Sequence, residues 1–165
     1  MSHQIWIRLS EIRDAAALME LDALVWDKDS TPAQIVWTSR EQYLQKCPPG
    51  SQLVAGIGDE ICGYLGFDSP TPLPSNGHVY DLNIAIHPSY QRQGVGRKLM
   101  ESIKIIAAEQ GIRKLSLRVL ATNPGAKAFY ESCGFLEQGR LVDEFYLDGQ
   151  YVDDILMWCP IVPSE

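Results

Sequence analysis

The sequence predicts a mixed α/β domain, and three observations carry that prediction. A short alternating stretch near the start passes directly into a helical one; a strand, a glycine-bearing loop and a long amphipathic helix follow one another in mid-chain; and pairs of short strands joined by tight turns stand on either side. Together they amount to about seven strands and about four helices, which 165 residues accommodate as a single domain spanning 1–165.

The elements follow in order. Residues 4–9 alternate as a short strand, and Ser10 and Glu11 introduce a helix to about Val25. A second helix over 39–46 is stopped by Pro48, Pro49 and Gly50, which do not continue a helix. Residues 52–58 and 60–67 are apolar, glycine-spaced runs about a turn at Gly58 and Asp59, the signature of a hairpin. The breaker-rich stretch 70–77 reads as a surface loop, and 79–86 as a strand. Over 94–110, Val95, Leu99, Ile103 and Ile106 recur at helical spacing. Residues 115–120 form a strand, and 124–133 a short helix capped by Asn123 with Gly134 just past its end. Strands over 136–145 and 151–158, turning at Asp148 and Gly149, close the chain.

Composition excludes several classes of function. A net charge of −7 argues against a broad nucleic-acid face and favours a cationic, amine-bearing partner. No run approaches the ~18 apolar residues of a membrane span, and no basic leader with an apolar run opens the chain, so a cytoplasmic protein is expected. Cys47, Cys62, Cys133 and Cys159 lack disulfide or zinc spacing, and His3 and His78 lack ligand spacing, so no metal is expected.

Chemistry concentrates in residues 84–99, where a strand runs through a loop into a helix. Gly94 and Gly96 permit close backbone approach, and the helix start offers free amides and a positive dipole end, so the ligand is an anion such as a phosphate. Arg92, Arg97 and Lys98 add positive charge. Leu99 stands where a third glycine of GxGxxG belongs, and GxxxxGK[ST] is absent, which disfavours a dinucleotide or P-loop site.

Gln91-x-x-Gly94-x-Gly96, preceded by Ile86-His-Pro-Ser-Tyr90, resembles the coenzyme A pyrophosphate loop of the GCN5-related N-acetyltransferase (GNAT) family. Asn123-Pro-Gly-Ala-Lys-Ala-Phe-Tyr-Glu-Ser-Cys-Gly-Phe135 is similar to that family's second motif, in the same order. The resemblance implies a mostly antiparallel sheet splayed between its fourth and fifth strands. It implies acetyl-CoA as cosubstrate, held by main-chain groups of Ile84, Ala85 and Ile86 at the pantetheine arm, by the amides of Gln91, Arg92, Gln93, Gly94, Val95 and Gly96 at the pyrophosphate, and by Asn123. It places Tyr130 near the sulfur of coenzyme A. The expected acceptor is a small-molecule amine or a protein amino group, and the expected protein partner is a second copy of the chain in a homodimer.

A phenol of pKa ~10 can protonate a leaving thiolate of pKa ~8.5, which makes Tyr130 the candidate general acid. An alkyl ammonium of pKa ~10.4 must lose a proton before it attacks. Asp81 and Asn83 alternate with Leu82 and Ile84, so Asp81 is the candidate base, with Tyr80, Asp153 and Asp154 as substitutes. His87, before Pro88, reads as a turn residue. The acidic residues Asp143, Glu144, Asp148, Asp153 and Asp154 read as a solvated hairpin that can also attract a cationic substrate. A different class of reading is a catalytically weak acyl-CoA sensor or interaction module on the same fold.

Overall fold

The computed structural model describes residues 4–164; residues 1–3 and 165, and with them the reading of His3, lie outside the described residues. Seven strands form one sheet in the order β1-β2-β3-β4-β5-β7-β6: β1 (Ile5–Leu9), β2 (Gln52–Ile57), β3 (Glu60–Asp68), β4 (Val79–Ile86), β5 (Lys114–Leu120), β6 (Leu136–Leu147) and β7 (Gln150–Pro160). The helices are α1 (Ala15–Val25), α2 (Arg40–Lys46), α3 (Val95–Glu109) and α4 (Pro124–Ser132). β4 and β5 run parallel, whereas β1/β2, β2/β3, β5/β7 and β6/β7 are antiparallel. The expected mixed, mostly antiparallel sheet is present.

The chain divides into two compact units, one holding the chain up to Val25 with Ile35–Asp68 and Asn83–Ile105, the other holding Trp26–Gln34, Ser69–Leu82 and the chain from Ile106 on. In the first, residues 52–56 of β2 and 62–66 of β3 are buried without alternation, as strands covered on both faces are. α1 contributes Ala15, Leu18 and Leu21 to this core, and also the buried carboxylate of Asp22. Asp22 accepts hydrogen bonds from the Trp37 indole at 2.8 Å and from the Tyr64 hydroxyl, which ties α1 to the chain before α2 and to β3. Ser39 caps α2 by accepting from the Gln42 amide at 3.0 Å.

In the second unit Val79, Tyr80 and Asp81 of β4 stand in register with Lys114, Leu115 and Ser116 of β5. Leu115, Leu117 and Val119 are buried, whereas Ser116 is half-buried and Arg118 exposed, so one face of β5 is packed and the other is open as far as Arg118 and closes again at the buried Leu120. The β6/β7 hairpin turns at Asp148 (φ 51°) and Gly149 (φ 79°), the left-handed pair that a two-residue turn of matching twist requires. Residues 26–34 are fastened to this unit by the Lys28–Asp148 ion pair at 2.7 Å and by the Thr122 hydroxyl donating to the Asp29 carbonyl at 3.2 Å.

Differences from the sequence reading lie at element ends. A 3-10 turn, Ile12–Asp14, precedes α1, and another, Pro74–Asn76, occurs in the breaker-rich loop. α3 begins at Val95 because Gly94 sits at φ 85°, outside helical space.

The first 3-10 turn rests on an ion pair. Asp14 is 3% exposed, accepts 2.8 and 2.7 Å hydrogen bonds from Arg8, and also accepts from the Glu11 amide at 2.8 Å. The hydrogen-bonded guanidinium of Arg8 holds this carboxyl below the usual range. Such a depression stabilises the fold above the unfolded carboxylate pKa of about 4, and the gain is lost as pH falls through the lower folded value. Asp14→Asn is therefore expected to cost about 1–3 kcal/mol in denaturant unfolding at neutral pH, with the gap to wild type narrowing below about pH 4. A gap that does not change with pH would show that the charge is not its source.

Candidate active site

The anion-binding candidate lies in the first unit. β4 ends at Ile86, the His87 amide donates to the Cys62 carbonyl at 2.8 Å, and a 3-10 turn, Pro88–Tyr90, redirects the chain. His87 Nδ1 accepts from the Ser89 amide at 3.0 Å, so this histidine is the cap of that turn, as its sequence context indicates. Tyr90 donates its hydroxyl to Glu60, fixing the turn to the start of β3. The loop then reverses through two left-handed residues, Arg92 (φ 63°) and Gly94 (φ 85°). Left-handed residues within a turn aim successive amides into one concavity, a nest for an anion. The amides of Val95 and Gly96 in the first turn of α3 have no intrahelical acceptor.

Close packing sets this turn in place. A Cβ on Gly63 of β3 would stand 2.8 Å from Ile86 Cδ1, 3.0 Å from the Ala85 carbonyl oxygen and 3.3 Å from Val95 Cγ1. The end of β4 and the first turn of α3 therefore lie directly against β3, in space only glycine leaves free. Gln91, Arg92, Gln93 and Gly94 are exposed, and a Cβ on Gly94 would meet nothing within 4 Å. Exposed amides, a helix start and open space over the loop fit a phosphate-bearing ligand such as coenzyme A.

Tyr130, Asn123 and Asp81 belong to the second unit. Asn123 caps α4 by accepting from the Ala126 amide at 3.3 Å, so its capping role is real. Tyr130 is 9% exposed, its ring 5.6 Å from that of Phe129 and 6.1 Å from that of Phe135, and Cys133 on the same helix face is also buried. Burial, with Cys133 nearby, pushes the phenol up to about 12. Asp81 is exposed and accepts from the Ser116 hydroxyl at 3.1 Å.

On the open face of this unit the structure brings together two residues whose pairing the sequence does not announce. Arg118 of β5 donates from Nη1 to Asp154 of β7 at 3.1 Å, where Asp154 is 3% exposed and the Arg118 side chain is 60% exposed. Asp154 is a base substitute by sequence position, but its partner is 36 residues away, and only the β5/β7 register reveals it. Asp153 serves structure, accepting from the Asp143 amide at 2.8 Å at a bulge in β6.

The comparisons agree with this geometry. The chain is 36% identical over 74 residues to the spermidine N(1)-acetyltransferase of Vibrio cholerae, covering 44% of this chain and 43% of that one. It is 43% identical over 82 residues to the [ribosomal protein bS18]-alanine N-acetyltransferase of Escherichia coli, covering 48% and 54%. The chain thus spans about half the length of these curated relatives. Among solved structures, smu.2055 from Streptococcus mutans UA159 superposes with a TM-score of 0.87 at 32% identity, over 94% of this chain and 98% of that one. Residues 16–135, which carry both motifs, match the acetyltransferase (GNAT) family as a whole, and the chain belongs to that family.

Proposed function

We propose that this protein is an acetyl-CoA-dependent N-acetyltransferase acting directly on a primary amine of a small molecule or a protein. The observation that carries the reading is Tyr130, a phenol buried on α4 within the family-matched residues, where the second motif's resemblance places it near the sulfur of coenzyme A. Relatives named for acetyl transfer to spermidine and to a protein alanine support it.

Each residue then has a defined task. The amides of residues 91–96 and the start of α3 hold the diphosphate, the main chain of Ile84, Ala85 and Ile86 receives the pantetheine arm, and Asn123 adds a polar contact. Acetyl-CoA, when bound, supplies a thioester-activated acetyl group. Asp81, oriented by Ser116, takes the proton that the acceptor ammonium must lose. Tyr130 holds its proton at any physiological pH, since its pKa is pushed up to about 12, and so serves as donor rather than base. Apolar surroundings also raise the proton affinity of a departing thiolate, which favours the transfer.

Two variants test these assignments. Tyr130→Phe keeps the ring and removes the donor, so single-turnover acetyl transfer should fall by about 10²–10⁴-fold with little change in acetyl-CoA affinity or melting temperature. A folded variant with wild-type rates would leave Tyr130 a structural role. Cys133→Ala separates direct transfer from a covalent acyl-cysteine route: a folded variant should retain most of its activity, whereas complete loss would overturn direct attack. Binding of acetyl-CoA without coenzyme A release across a broad amine panel would instead favour the sensor reading.

A further inference from the structure

The open face of the second unit carries a cation that the acetyl-transfer scheme leaves unused. Asp81 and Ser116 share this face, since their side chains are hydrogen-bonded, and Arg118, two residues along β5, lies on it as well. Ser116 is the last β5 residue in register with β4, so Arg118 stands just past the end of the parallel pairing. Asp154, opposite Leu120 on β7, reaches Arg118 diagonally.

A guanidinium has five N–H donors, and here the one described hydrogen bond uses Nη1 alone. The Arg118 side chain is 60% exposed while the side chain of Asp154 is 5% exposed, so one end is anchored in protein and the rest faces outward. Burial keeps the Asp154 carboxyl above the usual range, with Arg118 drawing it back down. An anchored guanidinium with a free planar edge is a receptor for a carboxylate, which it can grip with two parallel hydrogen bonds.

We propose that Arg118 receives the carboxylate of the acceptor, with Asp154 as its positioning residue, so that the preferred substrate is a small zwitterion of the α-amino acid type. The inference rests on the acetyl-transfer reading above. Asp81 and Arg118 stand on neighbouring strands, two residues apart in register and on one face, so an acceptor gripped by Arg118 lies on the face that carries Asp81. The amine of such a substrate falls toward Asp81 when its carboxylate is on Arg118. A polyamine brings only like charge to Arg118, and a peptide amino terminus has no carboxylate beside its amine.

The experiment compares kcat/KM for matched acceptors with and without the carboxylate: phenylalanine against phenethylamine, histidine against histamine, and methionine against 3-(methylthio)propylamine, beside spermidine and an alanine-initiated peptide. Wild type should prefer the amino acid of each pair by about 10- to 100-fold. In Arg118→Met that ratio should collapse toward one, Arg118→Lys should restore part of it, and Asp154→Asn should raise KM for the amino acids more than it lowers kcat. Turnover of spermidine, the peptide or the decarboxylated amines without preference for the zwitterion would overturn the inference and leave acetyl transfer standing. No coenzyme A release with any amine, despite acetyl-CoA binding, would overturn acetyl transfer and this inference together. The wild-type pairs decide the matter even if a variant fails to fold.

Discussion

Parallel pairing of β4 with β5 is the constraint from which the chemistry of this chain follows. Parallel neighbours cannot be joined by a tight turn and need a long crossover, and here the crossover is α3. A crossover helix starts beside the carboxyl end of the strand that precedes it, so its unpaired amides and positive dipole end appear there. The candidate anion-binding loop is thus a by-product of strand direction, refined by left-handed Arg92 and Gly94. Antiparallel pairing of the same strands would need no crossover and would offer no such end.

Small residues let β4 meet this demand. Gly63 gives up its side chain so that Ala85, Ile86 and Val95 can lie against β3, and a Cβ on Gly66 would stand 2.2 Å from the Asn83 side-chain oxygen. In the amino-terminal part of the same strand, Val79 and Leu82 are buried while Asp81 faces outward. One eight-residue strand therefore contributes apolar packing, a main chain free of bulky neighbours and an exposed carboxylate. Alternation along the pleat separates Asp81 from Leu82, while Val79 and Asp81 share a face that is covered at the first and open at the second.

Charge is handled differently in the two units. In the first, Asp14 and Asp22 are buried carboxylates consumed by structure, held by Arg8 and by Trp37 with Tyr64. A buried carboxylate is tolerated only when its oxygens are bonded, and these are. Asp154 in the second unit is as deeply buried but bonds a guanidinium that is itself largely exposed. That asymmetry distinguishes a closed structural pair from one that presents a cation outward, and it underlies the assignment of Arg118 to acceptor recognition.

Much of the molecule was legible from the sequence alone. The order of strands and helices, the turn at Asp148 and Gly149, the cap at Asn123, and the loop over 91–96 all follow from local rules: periodicity, φ preference and side-chain hydrogen bonding within a few residues. His87 as a turn residue and Tyr130 as an inward-facing phenol belong to the same class, because helix and turn geometry act over short range. What the sequence could not decide were relations between distant segments. Gly63 against Val95, Asp22 with Trp37 and Tyr64, and Arg118 with Asp154 depend on strand order and register, set by burial across the whole sheet and invisible to any local window. Asp153 and Asp154 look alike as neighbours in an acidic run; only the pleat, which sends one carboxylate to the β6 bulge and the other beneath Arg118, makes them different.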